Sequence, residues 1–314
     1  MIVNASSLLN VQDLSVTFFT NNKNIEICSK VSFSIRQNER VGLIGESGCG
    51  KTIVALSILR LLADSAKIEG RIIFEGLNLV DCSNRDLQRI RGTEISMVFE
   101  QPKTCLNPVY SIGWQISESV KKCMHLSGTV REEQVKDLLV SVGMDPDWHH
   151  QFPHQLSGGM QQRVMIAMAM ASHPKLLITD EPTTALDLIN QAQILDLIKE
   201  KIRTQNCSLL IITHDIDVAS ELCDTIMVMY AGEIVEICDI ATFLKKPLHP
   251  YSHALISAMA GSDLKPIPGV VPEFGSLPCG CRFHPRCRVS THICTTHPPL
   301  VKEVPSGFVR CHHA

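Results

Sequence analysis

The densest chemistry in the chain lies in eight consecutive residues, Gly45-Glu46-Ser47-Gly48-Cys49-Gly50-Lys51-Thr52. Three glycines let backbone N–H groups converge on phosphate oxygens, and a helix opening directly afterwards adds a favourable dipole. Lys51 is placed to reach the β- and γ-phosphates, and the Thr52 hydroxyl to ligate Mg²⁺. The flanks separate this reading from a glycine-rich turn that happens to carry a lysine. An apolar run at 41–44 reads as a strand, and 53–62 reads as a helix. A loop between strand and helix is the context that phosphate binding needs. The segment predicts a nucleoside triphosphate site.

Leu176-Leu177-Ile178-Thr179-Asp180-Glu181 reads as a short apolar strand ending in adjacent carboxylates. A parallel sheet brings such acids to the mouth where phosphates bind. Asp180 is expected to hold Mg²⁺ through water, and Glu181 to orient an attacking water as general base. An exposed acidic turn would not follow nearly uninterrupted apolar residues. A third run, Leu156-Ser157-Gly158-Gly159-Met160-Gln161-Gln162-Arg163, precedes an apolar helical stretch at 164–171. Ser157 suits an N-cap, and the two glycines allow close approach of a ligand to the backbone. Alone, this run is only a capped helix.

In this order the three runs resemble the motifs of the ATP-binding cassette family, with 156–163 in the place of its signature sequence. Thr183-Thr184-Ala185-Leu186-Asp187 resembles that family's D-loop, and Ile211-Ile212-Thr213-His214-Asp215 its switch-histidine strand. The resemblance implies an α/β P-loop ATPase core, a parallel sheet with an antiparallel flap, and a helical subdomain. It implies ATP and Mg²⁺ as ligands. It also implies two cassettes in a head-to-tail sandwich. Lys51 and Glu181 then serve one ATP, while Ser157, Gly158, Gly159 and Gln161 serve the ATP of the partner. Asp187 is the D-loop acid, and His214 contacts the γ-phosphate beside Glu181. With an unperturbed pKa near ~6.5, that imidazole has both protonation states open to it. Hydrolysis removes the phosphate both halves clamp, so ATP favours the closed pair and ADP the open one.

One position departs from the family pattern. Ile95-Ser96-Met97-Val98-Phe99-Glu100-Gln101 resembles the strand leading to the Q-loop, where glutamine normally follows the Phe; here Glu100 does. Neighbouring strand residues face opposite ways, so Gln101 is expected not to replace it. Glu100 is therefore expected to reach Mg²⁺ or its water, with an altered Mg²⁺ dependence. Phe18, or its neighbour Phe19, stands where the family places an aromatic against adenine; a plain core Phe fits there equally well.

These side chains need elements to carry them. Val31, Phe33 and Ile35 alternate with serines, as in a half-exposed flap strand. Val135, Leu138, Leu139 and Val142 recur at helical spacing, with Gly143 as a stop. Ile194, Leu195, Ile198 and Ile202 mark a second amphipathic helix, and 209–213 and 226–229 read as strands. Alternating strands and helices predict a doubly wound parallel sheet. The boundaries expected are 1–236 for the nucleotide-binding domain, with a helical subdomain at about 92–170, and 237–314 for a C-terminal extension.

Composition bounds the alternatives. A chain of 314 residues exceeds one modest domain, so a main domain with an appendage is natural. A formal net charge of −3 gives no electrostatic footprint for nucleic acid. No window reaches the roughly twenty apolar residues needed to span a bilayer. Residues 1–4 do not open a secretory signal, so a cytosolic chain is expected.

Past residue 237 prolines accumulate and cysteines cluster. Cys281, Cys287, Cys294 and Cys311 are separated by five, six and sixteen residues. In a reducing compartment a disulfide framework is not expected. A Pro-rich tail short of apolar residues would gain folding free energy from a metal centre, with spacing open between zinc and an iron–sulfur cluster. His249-Pro250-Tyr251-Ser252-His253-Ala254-Leu255 and Gly280-Cys281-Arg282-Phe283-His284-Pro285-Arg286-Cys287 resemble the C-terminal extension of the oligopeptide/dipeptide/nickel permease ATP-binding subunits. Cys294, Pro298-Pro299-Leu300 and Val309-Arg310-Cys311-His312 continue the match. That resemblance implies a 4Fe–4S cluster on the four cysteines, with zinc as the alternative. His284 and His312 read as packing residues, and Cys279 is an extra thiol.

The resemblance implies an ATPase that powers import of di- or oligopeptides, with nickel as the alternative cargo. Its implied partners are a paralogous cassette, two integral membrane permease subunits docking near 101–110, and indirectly an extracytoplasmic binding protein. The chain would sit on the cytoplasmic face of the membrane. DNA-repair cassettes need long coiled-coil or zinc-hook insertions, for which the gaps between motifs are too short. Translation-associated ones carry two cassettes where this chain has one.

Overall fold

The structure, a computed structural model, describes residues 7–20, 23–124, 126, 128–184, 186–259, 267–305 and 307–314. Residues 1–4, Ala185 of the D-loop-like stretch and Pro266 lie outside them. The chain begins β1 (Ser7–Phe19), β2 (Asn24–Arg36), β3 (Arg40–Ile44), α1 (Lys51–Ile58), β4 (Ala66–Phe74) and β5 (Leu77–Asn78). Next come α2 (Asn84–Ile90), β6 (Ile95–Val98), α3 (Pro102–Cys105), α4 (Ile112–Cys123), α5 (Gly128–Ser141) and α6 (Gly158–Met170). Then follow β7 (Leu176–Asp180), α7 (Leu188–Thr204), β8 (Ser208–Thr213), α8 (Ile216–Leu222), β9 (Thr225–Tyr230) and β10 (Glu233–Asp239). The tail holds α9 (Ile240–Lys245), α10 (Pro250–Met259), α11 (His292–Thr296), β11 (Lys302–Val304) and β12 (Gly307–Val309). Two compact units emerge: Met1–Cys82 with Ile212–Ala314, and Ser83–Ile211.

In the first unit β1 pairs antiparallel with both β2 and β4, and β5 extends the flap. The alternation expected in β2 holds at Val31, Phe33, Ser34 and Ile35 but fails at Ser32, which is buried. Its hydroxyl accepts from the Asp13 amide at 2.8 Å, beside an irregularity in the β1–β2 pairing. That bond satisfies a polar group that would otherwise be costly to bury. Strand β3 pairs parallel with β9, β9 turns antiparallel into β10, and β10 takes β12 as its next neighbour.

That last pairing changes the expectation for the Pro-rich tail. It gains order by sharing the first unit's core: Phe243, Tyr251, Phe283 and Val309 are all buried. Burying each of the Phe and Val side chains contributes about 1.5–3 kcal/mol, so a metal is not the only available source of folding free energy.

In the second unit β6 and β7 pair parallel, and every residue of β7 is buried, as a strand covered on both faces requires. Ser111, Ser157 and Asp187 cap α4, α6 and α7 by accepting a backbone amide. Val135, Leu138 and Leu139 form the buried stripe of α5. Gly143, at φ 73°, ends the turn that follows. On α7 the buried positions include Ile194, Leu195, Ile198 and Ile202, at the spacing the sequence sets out.

Candidate functional site

The phosphate loop joins β3 to α1, so Lys51 and Thr52 open the helix. Lys51 is 6% exposed, and its Nζ donates to the carbonyls of Gly45 at 2.8 Å and Glu46 at 3.1 Å. The loop therefore curls around its own cation. Only glycine fits at 45, where a Cβ would stand 2.3 Å from the Met229 carbonyl of β9. The Gly232 amide, in the β9–β10 turn, donates to the Cys49 carbonyl at 2.9 Å. Burial pushes the Cys49 thiol up, against the opposing pull of Lys51.

Two residues of the C-terminal extension also reach this loop. The Glu46 amide donates to the Tyr251 hydroxyl at 2.9 Å. The Arg286 guanidinium donates to both Glu46 carboxylate oxygens, at 2.6 and 3.0 Å. Phe283 lies against Tyr230 and Tyr251, with ring centroids 5.1 and 5.3 Å away. Below them the Glu236 carboxylate, fully buried, accepts the Leu248 and His249 amides at 2.8 and 2.9 Å. Those two bonds hold the start of α10, from which Tyr251 projects.

In the second unit, β7 ends at Asp180, which is 3% exposed. Glu181 leaves the strand at φ 47°, a left-handed backbone that costs a non-glycine residue on the order of 1 kcal/mol or more. Such strain concentrates at functional sites. The Thr184 hydroxyl donates to its carboxylate at 3.3 Å. Ser157 accepts the Met160 amide at 3.3 Å, so Gly158 and Gly159 form the first turn of α6, where helix amides lack ladder partners. A Cβ on Gly159 would sit 3.0 Å from Asn190 Oδ1. Asn190 in turn donates from its backbone and side chain to Asp187, at 2.9 and 2.7 Å, and these bonds hold that carboxyl below its usual range. Signature and D-loop thus form one cluster, from which Leu188 and Ile189 project 83% and 73% exposed.

Gln161 departs from the expectation that it faces a partner's nucleotide. It is buried, and its amide nitrogen donates to the Pro153 and Leu156 carbonyls at 2.8 and 3.3 Å. Its observed work is to fold the signature's approach segment onto α6. The strand argument at Glu100 also needs correction. Strand β6 stops at Val98, and Glu100 and Gln101 are both exposed loop residues, so sheet alternation does not govern which way either points. In the first unit His214 follows β8 directly and is exposed, just before the Asp215 cap of α8. Phe18 is half-buried and Phe19 is 47% exposed, both at the end of β1.

Cys281, Cys287, Cys294 and Cys311 line one small pocket together with His284, His312 and His313. Burial and the neighbouring thiols push Cys281 up to about 11. Yet among the described residues no three His, Cys, Asp or Glu side chains converge as a set able to hold a metal ion. The iron–sulfur expectation therefore has four soft donors around one pocket and no ligand geometry. His284 Nδ1 lies 3.0 Å from the Cys281 carbonyl and His312 Nε2 2.9 Å from that of His297, as packing residues would. Cys279 is exposed.

Residues 28–184 match the model of the ABC transporter family, and residues 235–294 that of the oligopeptide/dipeptide transporter C-terminal region. The chain is 40% identical to the oligopeptide transport ATP-binding protein OppD of Escherichia coli (strain K12), over 98% of this chain and 93% of that protein. It is 42% identical to the oligopeptide transport ATP-binding protein AppD of Bacillus subtilis (strain 168), over 98% and 96%. The chain belongs to the ABC transporter family. It is an ABC-type ATPase with the cassette fold. The dimeric cassette MJ0796, in a post-hydrolysis state bound to ADP and Pi, superposes with a TM-score of 0.67 at 27% identity, over 74% of this chain and 98% of that one.

The residues that sequence reasoning missed in this cassette are those that brace the loop. Arg286 and Tyr251 stood inside quoted motifs without a role, and Tyr230 and Glu236 were not singled out. His313, whose Nε2 lies 3.5 Å from Cys294 Sγ, was not singled out either. The missed signal was the pairing of an acid in the phosphate loop with an arginine 240 positions later.

Proposed function

We propose that this ATPase powers uptake of di- or oligopeptides through a membrane permease. One observation carries the reading: the chain matches proteins named for oligopeptide transport along nearly its whole length, the C-terminal region included. No observation favours nickel as cargo. Functionally we divide the chain into 1–236, with a helical subdomain at about 92–170, and 237–314.

Catalysis runs in a head-to-tail pair with a paralogous cassette. Lys51 and the glycine loop hold the phosphates, Thr52 and Asp180 hold Mg²⁺, Glu181 is the general base, and His214 meets the γ-phosphate. Phe18 stacks on adenine, and Glu100 reaches the Mg²⁺ water. Ser157, Gly158 and Gly159 cap the partner's ATP with first-turn amides, beside Asp187. Exposed Leu188 and Ile189 support this, since apolar residues beside a functional loop suit a partner face. No helix among the described residues is long and apolar enough to cross a membrane. From the match to transport ATP-binding proteins we place the protein peripherally on the cytoplasmic face of the membrane. Two permease subunits dock near 101–110, where Val109 is exposed and Tyr110 stacks on Trp114 at 4.0 Å. An extracytoplasmic binding protein delivers cargo.

Cys281, Cys287, Cys294 and Cys311 would hold a 4Fe–4S cluster or zinc, a structural centre for the extension; four soft donors suit either. Purified protein with iron and sulfide supports the cluster, zinc alone supports the alternative, and neither ends the proposal. Co-purification with the neighbouring permease and binding protein, followed by uptake in proteoliposomes, tests the function. ATP-dependent peptide accumulation is expected; nickel uptake without peptide uptake would overturn it.

A further inference from the structure

The extension does more than share a core with the nucleotide-binding unit. Arg286 is 6% exposed, and every donor of its fork is engaged. Nε donates to the Pro268 carbonyl at 2.9 Å, Nη1 to Glu46 Oε2 at 2.6 Å and to the Tyr230 hydroxyl at 3.4 Å. Nη2 donates to Glu46 Oε1 at 3.0 Å and to the Ile267 carbonyl at 3.4 Å. The planar guanidinium matches the carboxylate in two parallel bonds, a geometry that fixes orientation as well as distance. Tyr251 takes the Glu46 amide from the other side, so both the backbone and the side chain of this residue are held by the extension.

Glu46 follows Gly45, the first glycine of the loop, and its carbonyl is one of the two that hold Lys51. Whatever fixes Glu46 therefore fixes the cage around the ammonium that must meet the phosphates. Arg282 adds a second strut. Its guanidinium donates to the Ala231 carbonyl at 2.6 Å, in the turn whose Gly232 amide holds Cys49.

We propose that the extension clasps the phosphate loop, with Arg286 and Tyr251 as positioning residues that preorganise it for ATP. Neither touches the nucleotide; they act through Glu46. The free loop then spends less conformational freedom on binding, and removing the clasp weakens affinity without altering the chemistry of a bound ATP. The inference rests on residues 45–52 being the ATP site and is independent of the cargo.

The test measures ATP affinity and the split between KM and kcat on the full chain assembled with its partners. Arg286→Ala is expected to weaken ATP binding by about three- to tenfold, the usual scale for residues that couple sites without touching the ligand. At saturating ATP kcat stays near wild type. Arg286→Lys, which keeps the charge and loses the fork, falls between. Tyr251→Phe, lacking one hydroxyl, gives a smaller loss of about two- to threefold. Glu46→Gln combined with Arg286→Ala is no worse than the poorer single variant, because both remove the same contact.

A merely structural role would lower the melting temperature and the active fraction while leaving KM unchanged. Unchanged affinity in Tyr251→Phe and Arg286→Lys overturns the clasp even if Arg286→Ala fails to fold. Independent, multiplying effects of Glu46→Gln and Arg286→Ala overturn it too. Lys51→Ala serves as control: if it binds ATP normally, the site assignment has failed and not the clasp.

Discussion

The phosphate loop and the signature–D-loop cluster are both glycine-rich segments at helix starts, yet the chain treats them differently. The phosphate loop is enclosed: Lys51 is buried in carbonyls of its own loop, Gly45 abuts β9, and Glu46 is held on two sides by the extension. The signature cluster is open. Ser157, Gly158 and Asp187 are exposed, and Leu188 and Ile189 stand in solvent. The first segment is enclosed by residues of its own chain. Among the described residues, the other is braced from behind by Gln161 and Asn190, and its front is exposed. A preorganised pocket binds ligand by itself, whereas an open face gains by association.

The contrast can be broken experimentally. The largest effect is expected from Glu181→Gln, which keeps shape and removes the base: turnover should fall by about 10²–10⁴-fold. ATP should then accumulate in a closed cassette pair, visible by size-exclusion chromatography. Undiminished turnover would reject Glu181 as base. Next, Ser157→Arg should lower turnover by about 10²-fold, as loss of a charge-stabilising donor does. ATP binding by the isolated chain should be unchanged. If that binding also fails, the signature serves its own nucleotide and the contrast disappears.

A smaller effect concerns the brace. Burial drives the His249 pKa from 6.5 down to about 3, so this imidazole stays neutral in the fold while the unfolded chain takes up a proton. The stability it contributes is complete above pH 6.5 and is lost as pH falls towards about 3. His249→Gln should therefore flatten the acid side of the melting-temperature profile. An identical slope in wild type and variant would show that His249 does not carry it. Smallest of all, Glu100→Gln should leave turnover near wild type and raise the Mg²⁺ concentration needed for half-maximal rate, since it removes a carboxylate assigned to the Mg²⁺ water. An unchanged Mg²⁺ titration would remove Glu100 from the site.

Much of this was legible in the residues. The strand–loop–helix around 45–52, the acids ending β7 and the Ser157 cap follow from apolar periodicity, glycine spacing and capping chemistry. All of these act over a few residues. The cysteine cluster was legible as a group, and the shared pocket agrees with it, but spacing could not say whether the sulfurs converge as ligands. At Glu100 a strand rule was applied two residues beyond the end of the strand. Gln161 was assigned outward from its motif although the apolar helix around it gave it a buried face.

By itself, then, the sequence determined the family, the order of its motifs and the chemistry of each loop, because these depend on neighbours in the chain. Only the tertiary structure decided that Arg286 and Tyr251 belong to the phosphate loop, 240 and 205 positions away from Glu46. Contacts at that separation leave no periodicity or spacing to read. They exist because β12 adds to β10 and Phe283 packs on Tyr230 and Tyr251, carrying the extension onto the loop.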